Sequence, residues 1–261
     1  MKTIMVSIIG SLLLAGTCSG GDEDIPLEYR IQQGASFYLS FNNETPVAER
    51  ATGDNKPGKT PKDISYDTGI KGKALKTGDK YAPLSFNVKD NLNFERAGSV
   101  SMWIKPLKWK YPKDMPVNKG GHRKSLFQGL FLTNYDPQKG YMGFQRITSY
   151  RVGGKDSLFF WIGGFKGTNG SSRKSIVWPN GQWHNVVMTW DPLLFKIYID
   201  GKLEIKSTVQ RKIMNNEVAR QFTVSCPDNT MIDEFIIYNR LLDDKEVMEY
   251  YQFLKPKQTD K

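Results

Sequence analysis

Residues Trp183 to Ser207, "WHNVVMTWDPLLFKIYIDGKLEIKS", decide the fold. The run from His184 to Trp190 is rich in β-branched and aromatic residues, and Asp191-Pro192 stops it with a turn. A second alternating run covers Phe195 to Ile199. Asp200-Gly201 then supplies a tight hairpin turn, since both residue types tolerate positive φ, and a third run starts at Lys202. The stretch predicts a three-stranded antiparallel meander. Alternation puts Trp183, Asn185, Val187 and Thr189 on one face and His184, Val186, Met188 and Trp190 on the other. His184 is thus in line with apolar residues and Asp191 is committed to a turn. A segment that looks like a place for chemistry reads as scaffold.

The pattern continues on both sides. Further short strands are predicted over 35–41, 74–76, 82–88, 99–104, 125–133, 140–147, 157–162, 219–225 and 231–238, each bounded by turn residues. The glycine-rich stretch "GGFKGTNGSS" at 163–172 lacks the spacing of a phosphate-binding loop and is read as a flexible loop. Near the C-terminus, Asp243 with Glu246 three residues on forms a capping-box pair that opens a short helix, "DKEVMEYYQFL". With 261 residues, 39% of them hydrophobic, the chain can bury a sizeable core. Many short strands and one late helix give an all-β fold, a two-sheet antiparallel jelly-roll sandwich.

Several segments carry a more specific resemblance. "FYLSFNNE" at 37–44, "GIKGKAL" at 69–75, "GSVSMWIKP" at 98–106, "WHNVVMTWD" with "KIYIDGKL", and "MIDEFIIYNRLLDDKEV" at 231–247 stand in one order along the chain. In combination they resemble the laminin G-like jelly rolls of the concanavalin A-like lectin and glucanase superfamily, over residues 35–253. The resemblance implies a convex and a concave sheet, with ligands taken on the concave face or at the loop rim. It also implies a structural calcium ion between an early loop and the late strand, for which Asn42, Glu44 and Asp233 are the matching positions. The family's usual early aspartate is here Asn42.

The N-terminus reads as an export address. Lys2 precedes the apolar run Ile4 to Ala15, too short to span a bilayer, and small residues then lead to Cys18. "LAGTCSGGDED" resembles the lipobox of bacterial lipoproteins, in which the chain is cleaved before a cysteine that is then acylated. Thr17 departs from the usual Gly, Ala or Ser, so plain secretion or a periplasmic location is the alternative. The acidic residues that follow resemble the signal that sends some lipoproteins to the outer face of the outer membrane. The expected organisation is a signal peptide at 1–17, a lipidated acidic tether at 18–34, the jelly roll at 35–253 and a basic tail at 254–261. Cys226 is the only other cysteine, so no disulfide framework is expected. It is read as an inert thiol at a strand end.

The functional classes narrow next. Lys and Arg number 37 against 27 Asp and Glu, leaving +10, and removing residues 1–17 takes away only Lys2. A basic folded part favours an acidic partner. Nucleic acid is not expected, because an exported chain does not meet it. The superfamily's glucanases carry a Glu-x-Asp-x-Glu strand, and no glutamate here has an aspartate two residues later. Two distant histidines and two distant cysteines exclude zinc spacing. A basic segment from Lys105 to Lys124 interleaves cations with aromatics, the two parts that a polyanionic glycan site needs. The candidate ligand residues are Lys108, Trp109, Lys110, Tyr111, His122 and Arg123, with Arg146, Tyr150 and Trp161 beyond them. The expected function is non-catalytic binding of an acidic polysaccharide or oligosaccharide at the bacterial cell surface. The alternatives are a polysaccharide lyase or glycoside hydrolase on the same fold, with His122 or Tyr150 as base, and a protein-binding adhesion domain.

Overall fold

The structure is a computed structural model that describes residues 30–32, 34–78, 80, 82–93, 95–109, 126–133, 141–148, 156–164, 167–208 and 220–256. Two antiparallel sheets face each other. The larger is built around the meander that the sequence announces: β11 (His184–Trp190), β12 (Leu194–Ile199) and β13 (Lys202–Thr208). Asp200 at φ 51° and Gly201 at φ 75° make the turn between the last two. β6 (Gly98–Pro106) pairs with the free side of β11, and β15 (Thr230–Tyr238) with β6. Beyond β15 lie β1 (Phe37–Leu39) with β2 (Arg50–Ala51), and β4 (Lys73–Thr77) with β3 (Ile64–Thr68).

The smaller sheet runs β10 (Gly167–Ser175), β9 (Asp156–Gly164), β8 (Tyr141–Thr148), β7 (Leu126–Thr133), β14 (Gln221–Cys226) and β5 (Ala82–Asn87). The strand β10 corrects the reading of the glycine-rich segment as a loop. Gly167 to Ser175 pairs along Ser157 to Gly164, with one bulge between Thr168 and Gly170. Glycine is a poor strand former by itself, and here cross-strand pairing overrides that weak preference. The short strands β2 and β3 also escaped the sequence reading: β2 is only two residues long, and the alternation of β3 rests on Ile64 and Tyr66 alone.

The two sheets enclose a core dominated by phenylalanine. Phe37 meets Phe86 and Phe222 edge-on, with centroids 4.9 and 5.2 Å apart, and Phe131 and Phe235 extend the cluster. Emptying any one of these positions is worth about 3–5 kcal/mol. As the alternation predicts, Val186, Met188 and Trp190 enter this core. The opposite face of the larger sheet is covered too, by α1 (Asp244–Leu254). Trp103, Val187, Tyr198 and Ile236 pack there against Val247, Tyr250 and Leu254, and Trp103 stacks on Tyr251 at 5.6 Å. The capping box that opens α1 is present: Asp243 accepts from the Glu246 N–H, and Glu246 accepts from the Asp243 N–H. The Tyr198 hydroxyl donates to Asp244 at 2.6 Å and docks the first turn on β12.

Strand β15 is buried along its whole length and carries a register shift between Asp233 and Ile236. Glu234 sits in the left-handed region at φ 48°. Its carboxylate accepts from the Tyr38 hydroxyl at 2.8 and 3.0 Å. Among the described residues no helix is long and apolar enough to cross a membrane.

Candidate functional site

The candidate ligand residues do not form one open site. Lys110, Tyr111, His122, Arg123 and Tyr150 lie outside the described residues, as does Cys18. Lys108 is exposed. Trp109 and Arg146 are brought together, but in the interior: they are 4% and 1% exposed. The Arg146 guanidinium lies 4.0 Å from the Trp109 ring centroid. Nε and Nη2 of Arg146 donate to Asp156, and Nη1 donates to Gln128 at 3.0 Å. The Trp109 indole N–H donates to Thr230 Oγ1 at 2.7 Å, and its backbone N–H to Asn180 Oδ1 at 3.0 Å. Trp109 stacks on Trp178 at 5.9 Å, and Trp178 on His184 at 4.4 Å. His184 Nδ1 lies 2.8 Å from Asp200 Oδ2, and its Nε2 is buried with no hydrogen-bond partner among the described residues.

This row of groups plugs one end of the sandwich. It corrects the expectation that Trp109 and Arg146 line a groove, because a guanidinium with both partners buried and a ring covered on its face have nothing to offer a sugar. His184 takes the packed position that its alternation predicts. Trp161 is elsewhere. It pairs across from Gly143, on the face of the smaller sheet turned away from the core, 5.2 Å from the Phe159 ring and 8% exposed.

The three calcium candidates do meet, around one loop. Asp233 Oδ2 accepts the N–H groups of Ile70 and Lys71 at 2.8 and 3.3 Å, and its Oδ1 accepts the N–H of Glu234. Asn42 Oδ1 accepts the N–H of Lys73 at 2.8 Å, and Glu44 pairs with the Lys73 ammonium at 2.9 Å. A Cβ on Gly69 would fall 2.2 Å from Asp233 Oδ2, and one on Gly72, at φ 63°, 1.9 Å from Asn42 Oδ1. These oxygens are answered by N–H groups and an ammonium, and an ion would have to displace them, so as arranged the donor set does not fit calcium. Burial first, and Glu234 second, push the Asp233 carboxyl up to about 8.

An open groove of about 790 Å³ lies at the other end of the sandwich. One side is the segment after β2, with Thr52, Asp54 and Lys56. A second is the end of β5 and its turn, with Ser85, Asn87, Lys89 and Asp90. Arg220 and Gln221 at the start of β14, and Asn239 just past β15, complete it. The register fixes the separation of the two ends. Thr230 of β15 pairs beside Pro106, close to Trp109, while Tyr238 pairs beside Ser99, next to Asn239. Nine strand residues therefore stand between them, which is roughly 25–30 Å.

Asn91, fully buried, holds the groove's first two sides together. Its Oδ1 accepts the Gly53 N–H at 2.8 Å, and its Nδ2 donates to the carbonyls of Asp54 and Asn87 at 2.8 and 3.1 Å. Gly53 is packed so closely that a Cβ would fall 2.1 Å from the Lys89 carbonyl oxygen. Asp90 is held in the left-handed region at φ 65°. The lining mixes hydroxyl, amide, carboxylate and cation with the apolar Val88 and Leu92, and has no aromatic ring among the described residues. Such a surface recognises a polar ligand by hydrogen bonds and charge. The sequence reading passed over it because "NVKDNLN" at 87–93 looks only like a turn; its run of amides and charges directly after an alternating strand was the available signal.

Similar proteins share the fold. Domain 4 of AbnA, an extracellular GH43 arabinanase from Geobacillus stearothermophilus solved with arabinotriose, superposes with a TM-score of 0.56 at 18% identity, over 84% of this chain and 98% of that one. The binding domain of botulinum neurotoxin DC solved with SialylT superposes with a TM-score of 0.60 at 16% identity, over 86% and 52%. A second neurotoxin structure, of type C, whose cell entry depends on two ganglioside molecules, gives 0.60 at 16%, over 88% and 53%. The chain spans about half the length of the neurotoxin domains it matches. No curated protein matches it. Residues 76–248 match the Laminin_G_3 family, and with this match, the two-sheet fold and its signatures in hand, the chain belongs to that family of the concanavalin A-like lectin/glucanases superfamily.

Proposed function

We propose that the chain is a non-catalytic carbohydrate-binding protein, exported and held at the bacterial outer membrane by a lipid on Cys18, and that its ligand is an acidic polysaccharide. The observation that carries the reading is the groove of about 790 Å³, in which amides, hydroxyls, carboxylates and cations stand around the apolar Val88 and Leu92, a size within the range of about 300–1,000 Å³ usual for ligand clefts. The arabinotriose and SialylT of two similar structures support a carbohydrate ligand. The formal charge of +10 supports an acidic one. Binding rather than turnover is favoured by the sequence, in which no glutamate has an aspartate two residues later, so the paired carboxylates of the superfamily's glucanases are missing.

A screen of neutral, uronate-containing and sulfated glycans tests the proposal. Anionic glycans are expected to bind more tightly, and to weaken as salt rises from about 0.01 to 1 M and the Debye length falls from about 30 to 3 Å. A salt-independent preference for neutral glycans would contradict the acidic ligand. Release of unsaturated products or new reducing ends would contradict the non-catalytic reading.

A further inference from the structure

We infer that the acid group of the ligand is read in the groove, by Lys56 and Lys89, and not at the far end where the basic segment begins; the inference rests on the glycan-binding reading above. Most lysines near an acid are already paired. Lys73 with Glu44, Lys76 with Asp67, Lys80 with Asp63 and Lys196 with Asp244 lie within 2.6–3.1 Å. Lys174 pairs with Glu204 across the edges of the two sheets. Lys56 and Lys89 line the groove with no side-chain partner among the described residues. They come from its two facing segments, which Asn91 clamps to each other. Asn91 fixes the backbone that carries the two exposed lysines, so what has to be ordered when an anion arrives is their side chains and not the segments themselves.

The same groove carries Asp54 and Asp90. A carboxylate repels the ligand's acid group and accepts from hydroxyls, so the acid is turned toward the cationic side of the groove while neighbouring hydroxyls turn to the aspartates. The ligand class that matches is a sugar ring bearing a carboxylate or a sulfate together with free hydroxyls. At the far end, by contrast, Arg146 is spent on Asp156 and Gln128, and Trp109 is covered.

The test is calorimetric titration of the full chain in detergent with trigalacturonate, a chondroitin sulfate hexasaccharide and arabinotriose. Lys56→Gln with Lys89→Gln should weaken binding of the anionic probes by at least about tenfold, with the melting temperature unchanged. Lys202→Gln with Lys206→Gln, exposed on β13, removes the same charge and should change binding by less than about twofold. Chondroitin sulfate carries uronate carboxylates beside its sulfates, so a desulfated chondroitin hexasaccharide run alongside it tells the two apart: retained binding assigns the carboxylate, lost binding the sulfate. Wild-type binding that survives Lys56→Gln with Lys89→Gln, or that both lysine pairs weaken equally, overturns the inference while leaving glycan binding standing. Absence of binding to any of the three by the wild-type chain defeats the glycan reading itself.

Discussion

At the scale of single residues, Arg146 shows how a charged side chain can be mistaken for a binding group. In "YMGFQRIT", Met142, Phe144 and Arg146 alternate onto one face, and the first two are core. That spacing already placed Arg146 inward; its charge argued the other way, because an unpaired guanidinium cannot be buried. What the sequence could not supply was the partner, since Asp156 comes from the next strand across. The pair is 1% and 0% exposed. Replacing Arg146 with Leu strands the Asp156 carboxylate and is expected to lower stability by about 3–5 kcal/mol, whereas Arg146→Leu with Asp156→Leu should lose clearly less. Urea unfolding of the two variants checks the difference. Trp109 was harder to place, because it lies past the end of β6 at Pro106 and alternation says nothing there.

At the scale of elements, the strands with apolar alternation were legible and those held only by pairing were not. The meander and the capped helix α1 follow from local chemistry alone. Strand β10 depends on β9 beside it, so no local rule finds it. The bulge of β15 gives Asp233 and Glu234 a structural part, since both side chains are buried and each is used as an acceptor. The bulge also predicts a pH response. With the Asp233 carboxyl moved from 3.8 to about 8, the folded state holds this proton more tightly than the unfolded chain. Its contribution is fully present below about pH 4 and is lost as pH rises through about 8. Thermal melts of the wild type and Asp233→Asn should therefore differ most in favour of the wild type at acid pH, with the gap closing toward pH 8. A gap that widens with pH would contradict the assignment.

At the scale of the whole molecule, the fold class and family were readable because they rest on periodicity and on motifs kept in order. The groove was not, because it joins four segments far apart in sequence: 52–58, 85–93, 220–221 and Asn239. The sequence search settled on a contiguous basic segment, the only kind of cluster it can see. Attachment is checked at this scale as well: Cys18→Ser should move the protein from the membrane fraction to the soluble one, and a variant that stays with the membrane would exclude the lipid.

The route by which the chain enters the fold has a geometric consequence. The Ile31 carbonyl accepts from the Tyr238 hydroxyl at 3.0 Å, and the Gln32 carbonyl from Arg50 Nη1 at 2.8 Å. Tyr238 adjoins Asn239, and Arg50 lies two residues before Thr52, so residues 31 and 32 arrive on the groove's side of the molecule. Twelve residues from Cys18 to Tyr29 can extend about 40 Å at most. For a domain moored at Cys18, that clearance sets how bulky a glycan can slide between the groove and the bilayer. If Cys18 carries the lipid and the groove the glycan, as proposed, tether length and ligand size are coupled, and a shortened tether would act as a sieve against branched chains without touching a single groove residue.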